Sequence, residues 1–181
     1  MLKLWRTRRS IAALEFGMLA PLYMIGMAAT VDIGNAITAN VIVAGSVQSA
    51  SNYALVNASQ VNSTSGATLA TNLATIAANA FATNWANSTA TVNNGPAASV
   101  TGGTTSSSGT PANANLCYCP TGTYSSITWG TSVTCGTTCT GGGIAGKFVV
   151  VTASYTWTPL FTSYSFVPSG YVSSGTVVQV Q

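Results

Sequence analysis

Few side chains in this chain can do chemistry, and their placement limits what chemistry that is. Cysteines stand at Cys117, Cys119, Cys135 and Cys139, the only acids are Glu15 and Asp32, and there is no histidine. The cations are Lys3, Arg6, Arg8, Arg9 and Lys147. General acid–base catalysis needs a titratable group beside the reacting atom, and nucleophilic catalysis needs a base beside the nucleophile. Both acids lie in the first fifth of the chain, so no carboxylate pair, triad or carboxylate metal site can be built on the remainder, and a free thiol would have no imidazole partner. The glycines of "TGGGIAG" (140–146) lack the Lys-Ser/Thr of a phosphate loop and fit a turn. The residues predict a protein that is not an enzyme, with no cofactor and no metal.

The cysteines offer two chemistries. C-x-C and C-x3-C differ from the C-x2-C spacing of zinc knuckles, although four thiolates would still hold zinc. Outside the cytoplasm two disulfides are favoured. Residues two apart on an extended chain lie near 7 Å, at the limit of disulfide geometry, so each bridge should join one cysteine of the first pair to one of the second. Two such crossed pairings exist, and spacing does not choose between them. Closing loops of roughly 15–20 residues contributes about 3 kcal/mol each in the chain-entropy model.

Glu15 poses a different question. Ile11 to Val31 are apolar apart from Glu15 and Thr30, enough for the roughly 20 residues that cross a bilayer. Four of the five cations precede this run, which puts residues 1–10 in the cytoplasm and the rest outside. A carboxylate within such a span costs about 2.5–3.5 kcal/mol on insertion scales. Three readings share this topology. A removed secretory signal, cut near Gly26-Met27-Ala28, gives the glutamate no role. An uncleaved anchor lets it snorkel to the interface. A cut between Ser10 and Ile11 would give Ile11 a free ammonium group with Glu15 four residues on, on one helix face or facing a neighbouring subunit. A buried charge then becomes an assembly contact.

Ser10, the apolar residues Ile11 to Leu14, then Glu15 and Phe16 resemble the processing site of type IV prepilins. The longer block "ALEFGMLAPLYMIGMAATVDIGNAI", with Pro21 and the closing Asp32-Ile33-Gly34, is similar to the TadE-like pseudopilins, or minor pilins, of tight-adherence (Flp) pilus systems. Downstream, "VVVTASYTWTPLF" (149–161) resembles that family's strand ending in a Thr-Pro-Leu-Phe turn, and "VSSGTVVQVQ" its closing strand. Residues 40–146 are unmatched. The residue before the cut is serine where these prepilins usually have glycine. The resemblance implies an inner-membrane precursor processed by a prepilin peptidase. It also implies the major Flp pilin, another minor pilin and the inner-membrane platform as partners, and a head that is periplasmic or carried in an extracellular pilus. Longer TadG-like relatives can append a von Willebrand A domain, whose Asp-x-Ser-x-Ser motif is absent here.

The elements that must position these residues are legible in part. Ile33, Ile37, Val41, Ala44 and Val47 recur at helical spacing, predicting that the first helix runs to about Ala58, roughly 70 Å at 1.5 Å per residue, loosened at Pro21. Leu69, Leu73, Ile76, Ala77, Ala80, Phe81 and Trp85 form a second helical stripe, folding back across the polar turn at 62–66. Residues 88 to 116 lack periodicity and are expected to be a surface loop. From Phe148 the period becomes two, a half-buried strand ended by Pro159; 171–181 offers a closing strand and 124–134 a weaker one. The fold class is α+β: a long N-terminal membrane-spanning helix continuing into a helical hairpin, with a small C-terminal antiparallel sheet head. Its divisions are a leader at 1–10, a transmembrane helix at 11–33 and a periplasmic or extracellular domain at 34–181.

Composition sets the rival reading. The only ionisable side chain beyond Asp32, other than tyrosine and cysteine, is Lys147, so the head has no basic stripe for nucleic acid. Such an uncharged, Ser/Thr/Asn-rich head suits an exported protein. A secreted or membrane-anchored surface binding module, exported by a signal peptide, is the alternative, with Trp129, Tyr155 and Trp157 as a stacking platform for carbohydrate. The Asn-x-Ser/Thr triplets at Asn57, Asn62 and Asn87 are expected by chance in such a composition.

Overall fold

The structure, a computed structural model, describes residues 2–81, 86–160 and 170–181, with side chains from Ala13 onward. Helix α1 runs Leu2–Val56 through Pro21, and α2 is Gly66–Ala78. Strands follow at β1 Asn87–Val92, β2 Ala97–Thr101, β3 Thr104–Ser108, β4 Phe148–Trp157 and β5 Gly170–Gln179. Packing divides the chain into two compact units, 1–38 with 157–170 and 39–156 with 171–181.

In the first unit α1 exposes its apolar side chains. Thr30 and Thr38 return their hydroxyls to the Gly26 and Gly34 carbonyls at 2.9 Å, which satisfies these groups without a neighbour. Gly26 and Gly34 leave open space on the helix surface.

In the second unit α1 contributes Val43, Val47, Ala50 and Ala54 to the core, a stripe at four- and three-residue steps. The helix continues to Val56 as the helical spacing predicts, and of the residues that carry that spacing Ile37 and Val41 are 60% and 65% exposed and only Val47 is buried. Alanine takes the packed positions because small side chains let the helix approach its partners closely. The turn into α2 is organised by Asn62, whose Oδ1 accepts the Thr64 and Ser65 N–H groups. Leu69 and Leu73 fill the core from α2, which ends at Ala78, so the predicted stripe stops short of Ala80 and Phe81, and Trp85 lies outside the described residues.

The sheet order is β3-β2-β1-β4-β5. The β1–β2, β2–β3 and β1–β4 pairs are antiparallel. Ala90, Val92, Ala98, Val100, Val149, Val151 and Ala153 point into the core. Ser88 is buried among them and donates to the Ala74 carbonyl at 2.6 Å, tying β1 to α2.

Residues 88–116 therefore correct the expectation of a surface loop: they form three strands and a short 3-10 helix, Pro111–Asn115. Two tight turns build the hairpins. Asn93 and Asn94, at φ 51° and 54°, join β1 to β2, and Gly102 and Gly103, at 56° and 81°, join β2 to β3. Gly102-Gly103 is the positive-φ pair of a two-residue hairpin, and Asn93-Asn94 opens a longer connection, 93–96, closed by the Gly95 N–H on the Val92 carbonyl. The 124–134 stretch forms no strand. It sits in a lobe, 117–146, held by isolated bridges such as Cys117 with Val133 and Thr121 with Thr128. Left-handed glycines at 122, 130, 136, 142 and 143 turn the backbone too often for an extended run.

Candidate functional site

The N-terminal span is the first candidate. From Leu14 to Met27 the large apolar side chains of α1, apart from the half-buried Ile25, are 62–81% exposed, including Phe16 at 73%. Ala13 to Val56 is a helix long and apolar enough to cross a membrane. Its first 21 residues would cover about 31 Å, the thickness of the hydrocarbon core. Glu15 is exposed on this surface. Ser10 and Ile11 lie where α1 is helical, but their side chains are outside those described.

Asp32 closes the exposed run. Although it is acidic, it is 1% exposed, and one carboxylate oxygen accepts the Leu160 N–H at 2.9 Å. Pro159 cannot donate a backbone hydrogen bond, so Leu160 offers the first N–H after it. Sequence reasoning placed Asp32 at the edge of the span and Leu160 in a turn, and missed that one receives the other. Phe161 lies outside the described residues.

The cysteines form the second candidate. Of the two crossed pairings the structure contains Cys117–Cys135 and Cys119–Cys139, with Cα–Cα separations of 5.1 and 5.7 Å. Among the described residues no group of three His, Cys, Asp or Glu stands ready for a metal ion. Beside Cys119–Cys139 a recess of about 250 Å³ is bounded by Gly141 to Gly143, Ile144 and Phe148. The Gly142 N–H donates to the Cys139 carbonyl, so the glycine run is a turn.

The stacking platform does not survive packing. Tyr155 stacks on Phe81 with ring centroids 4.1 Å apart, and Trp129 sets its edge against Tyr118 at 5.9 Å. Trp157, at the end of β4, is 7% exposed. Each ring is engaged within the protein.

Asn93 is a structural residue that sequence reasoning missed. It is fully buried, donates to the carbonyls of Asn113, Ala114 and Leu116, and accepts the Phe148 N–H at 3.2 Å. The Asn-Asn-Gly run was the available signal, since it favours a type I′ turn. Lys147 spans from the start of β4 to the Val61 carbonyl, 3.0 Å away.

These features describe a membrane-anchored protein with an apolar N-terminal helix and a small folded C-terminal domain stapled by disulfides. Comparison with protein-family models, with curated proteins and with solved structures finds no match.

Proposed function

We propose that this protein is an anchored surface module: α1 holds it in the membrane, and the cystine-stapled head is presented on the outer side, where it binds or spaces rather than catalyses. The observation that carries the reading is the exposed apolar length of α1, from Leu14 to Met27, in the same chain as a head with a closed core and two disulfides. Water would penalise that helix surface by about 25 cal/mol per Å², whereas lipid would not. The basic residues before the span orient the head outward.

A second reading is favoured by one contact. The Asp32–Leu160 hydrogen bond joins the two stretches that carry the resemblance to TadE-like minor pilins, "VDIGNAI" and "TWTPLF". In that reading a prepilin peptidase cuts after Ser10. Glu15 then meets the Ile11 ammonium when helices bundle, and the head joins the major Flp pilin, another minor pilin and the inner-membrane platform.

Intact mass of the membrane fraction after alkaline extraction separates the two, with protease added from the outer side to report the head. An uncut chain beginning at Met1, with a digestible head, is expected for the anchored module. A new N-terminus at Ile11 supports the pilin reading, and one near Ala29 in the soluble fraction overturns both.

A further inference from the structure

We propose that the outward face of the sheet is a binding surface for a neutral polysaccharide, which deepens and rests on the reading of the head as an outward-facing module. With the inner face of β1, β2 and β4 given to the core, the opposite side chains are exposed or half-exposed, except Val150, which is buried at the end of β4 nearest Phe148. Strand register aligns Ser106, Ser99, Thr89 and Thr152 in one row across four strands. In the next row Thr104 pairs with Thr101, and Asn87 with Ser154. Strands lie about 4.8 Å apart and alternate residues about 7 Å, so the face carries a two-dimensional grid of uncharged polar groups.

The grid is already ordered. Thr89 and Thr152 share a hydroxyl–hydroxyl bond of 2.7 Å, and Ser99 and Ser106 one of 2.8 Å. Threonine is stiff at χ1, and these cross-strand bonds fix the hydroxyls further, so little rotamer freedom remains to be lost on binding.

Charge selects the partner. No Asp, Glu, Lys or Arg lies between Asp32 and Lys147, nor after Lys147. A charged polymer or anionic lipid surface docking here would give up ion hydration with no counter-charge to replace it. A neutral polysaccharide exchanges hydroxyl for hydroxyl, since each Ser or Thr both donates and accepts, as each sugar hydroxyl does. The matching ligand is an extended chain lying in a flat array, as in microcrystalline cellulose.

The test uses the full chain, purified in a detergent without a sugar headgroup, and co-sedimentation with microcrystalline cellulose at low and high salt. Binding that is insensitive to salt is expected. It should weaken by about tenfold in the double variant Thr89→Val, Thr152→Val, which keeps the β-branched shape while removing two hydroxyls. Because a core-adjacent double change could disturb the sheet, Ser106→Lys supplies a second variant at the edge strand β3, where lysine is well tolerated. It should lose binding at unchanged Tm. No sedimentation, binding unchanged in both variants, or salt-sensitive preference for carboxymethylated or aminated polymer overturns the proposal. Failure to bind by a chain that resists alkaline extraction overturns the polysaccharide surface alone. Cellulose binding by a chain that alkali releases overturns the anchor and leaves the surface standing.

Discussion

The Asp32 carboxylate in α1 accepts the N–H of Leu160, 128 residues away in sequence, at 2.9 Å. Asp32 is 1% exposed, whereas Leu160 is 69% exposed, so water can reach the turn but not replace the carboxylate without a rearrangement. A hydrogen bond to a charged acceptor contributes about 1.5–3 kcal/mol, less where solvent competes. Asp32→Ala should therefore lower Tm and speed hydrogen exchange at the Leu160 amide. Asp32→Asn keeps a carbonyl oxygen in place and should do so less. Exchange at Leu160 equal in the wild-type chain and in Asp32→Ala would show that this bond does not hold the turn.

The disulfides give a graded prediction. Cys117–Cys135 and Cys119–Cys139 close loops of 18 and 20 residues, each worth about 3 kcal/mol in the chain-entropy model. Replacing both partners of either pair with serine should lower stability by that order. The lobe at 117–146 should loosen first, because the core made by α1, α2, β1, β2 and β4 does not pass through it. Peptide mapping without reductant should recover 117 linked to 135 and 119 linked to 139. Thiol labelling without reductant should find none.

Two glycines should respond differently to the same change. Gly109 has φ 91°, and a Cβ there would overlap the Gly95 carbonyl oxygen. Gly102 has φ 56° with nothing within 4 Å. Gly102→Ala should cost only the left-handed backbone penalty of about 1–2 kcal/mol. Gly109→Ala should cost that and a backbone clash, pulling apart the hairpin turn and the chain that follows β3. Denaturant titration of the two variants checks the order, and equal losses would contradict the clash.

How much of this was legible in the sequence follows from what each element buries. Strand β4 announced itself because Val149, Val150, Val151 and Thr152 are a β-branched run and the alternation with polar residues is clear from Val151 to Thr156. Strands β1 to β3 did not. Their inward positions are Ser88, Ala90, Val92, Ala98 and Val100, and small residues give alternation almost no hydropathic amplitude. The turn pairs Asn93-Asn94 and Gly102-Gly103 were the stronger signal there, because positive φ at two successive positions is a local property that needs no core. The outer half of α1 was legible as helix from its spacing, but not the face it packs, since the packed stripe is Val43, Val47, Ala50 and Ala54 while bulkier Ile37 and Val41 are exposed. Cysteine spacing narrowed the bridges to two pairings, and only the path of the chain through the lobe chose between them.

Asn93 tests whether a turn residue is chosen for φ or for its side chain. Asn93→Gly relieves the backbone at φ 51° but removes three donated bonds and the acceptor for the Phe148 N–H. The Ala114 carbonyl is buried and the Phe148 N–H part-buried, while the Asn113 carbonyl keeps the Leu116 N–H, so the loss should be about 1–3 kcal/mol, beyond any backbone gain. A thermal melt within a few degrees of wild type would mean that φ alone fixes the choice.

Glu15 decides between the two functional readings. In the anchored module it snorkels to the interface, so Glu15→Gln removes a charge from the span and should leave membrane insertion intact or improved. Surface presentation of the head should be unchanged. In the pilin reading the same variant is still cut after Ser10, because the peptidase must recognise chiefly the small residue and the basic leader. The Ile11 ammonium then enters an apolar bundle without its counter-charge, and breaking one member of a buried pair costs about 3–5 kcal/mol. Assembly should fail while processing continues. Ser10→Gly should act the other way, raising the ratio of mature to precursor band without changing what is built. Band ratios and surface piliation measured together in both variants separate the cases. Cleaved Glu15→Gln chains that assemble at wild-type levels would remove the paired-charge role, and the carboxylate would be the snorkelling group that the exposed position of Glu15 permits.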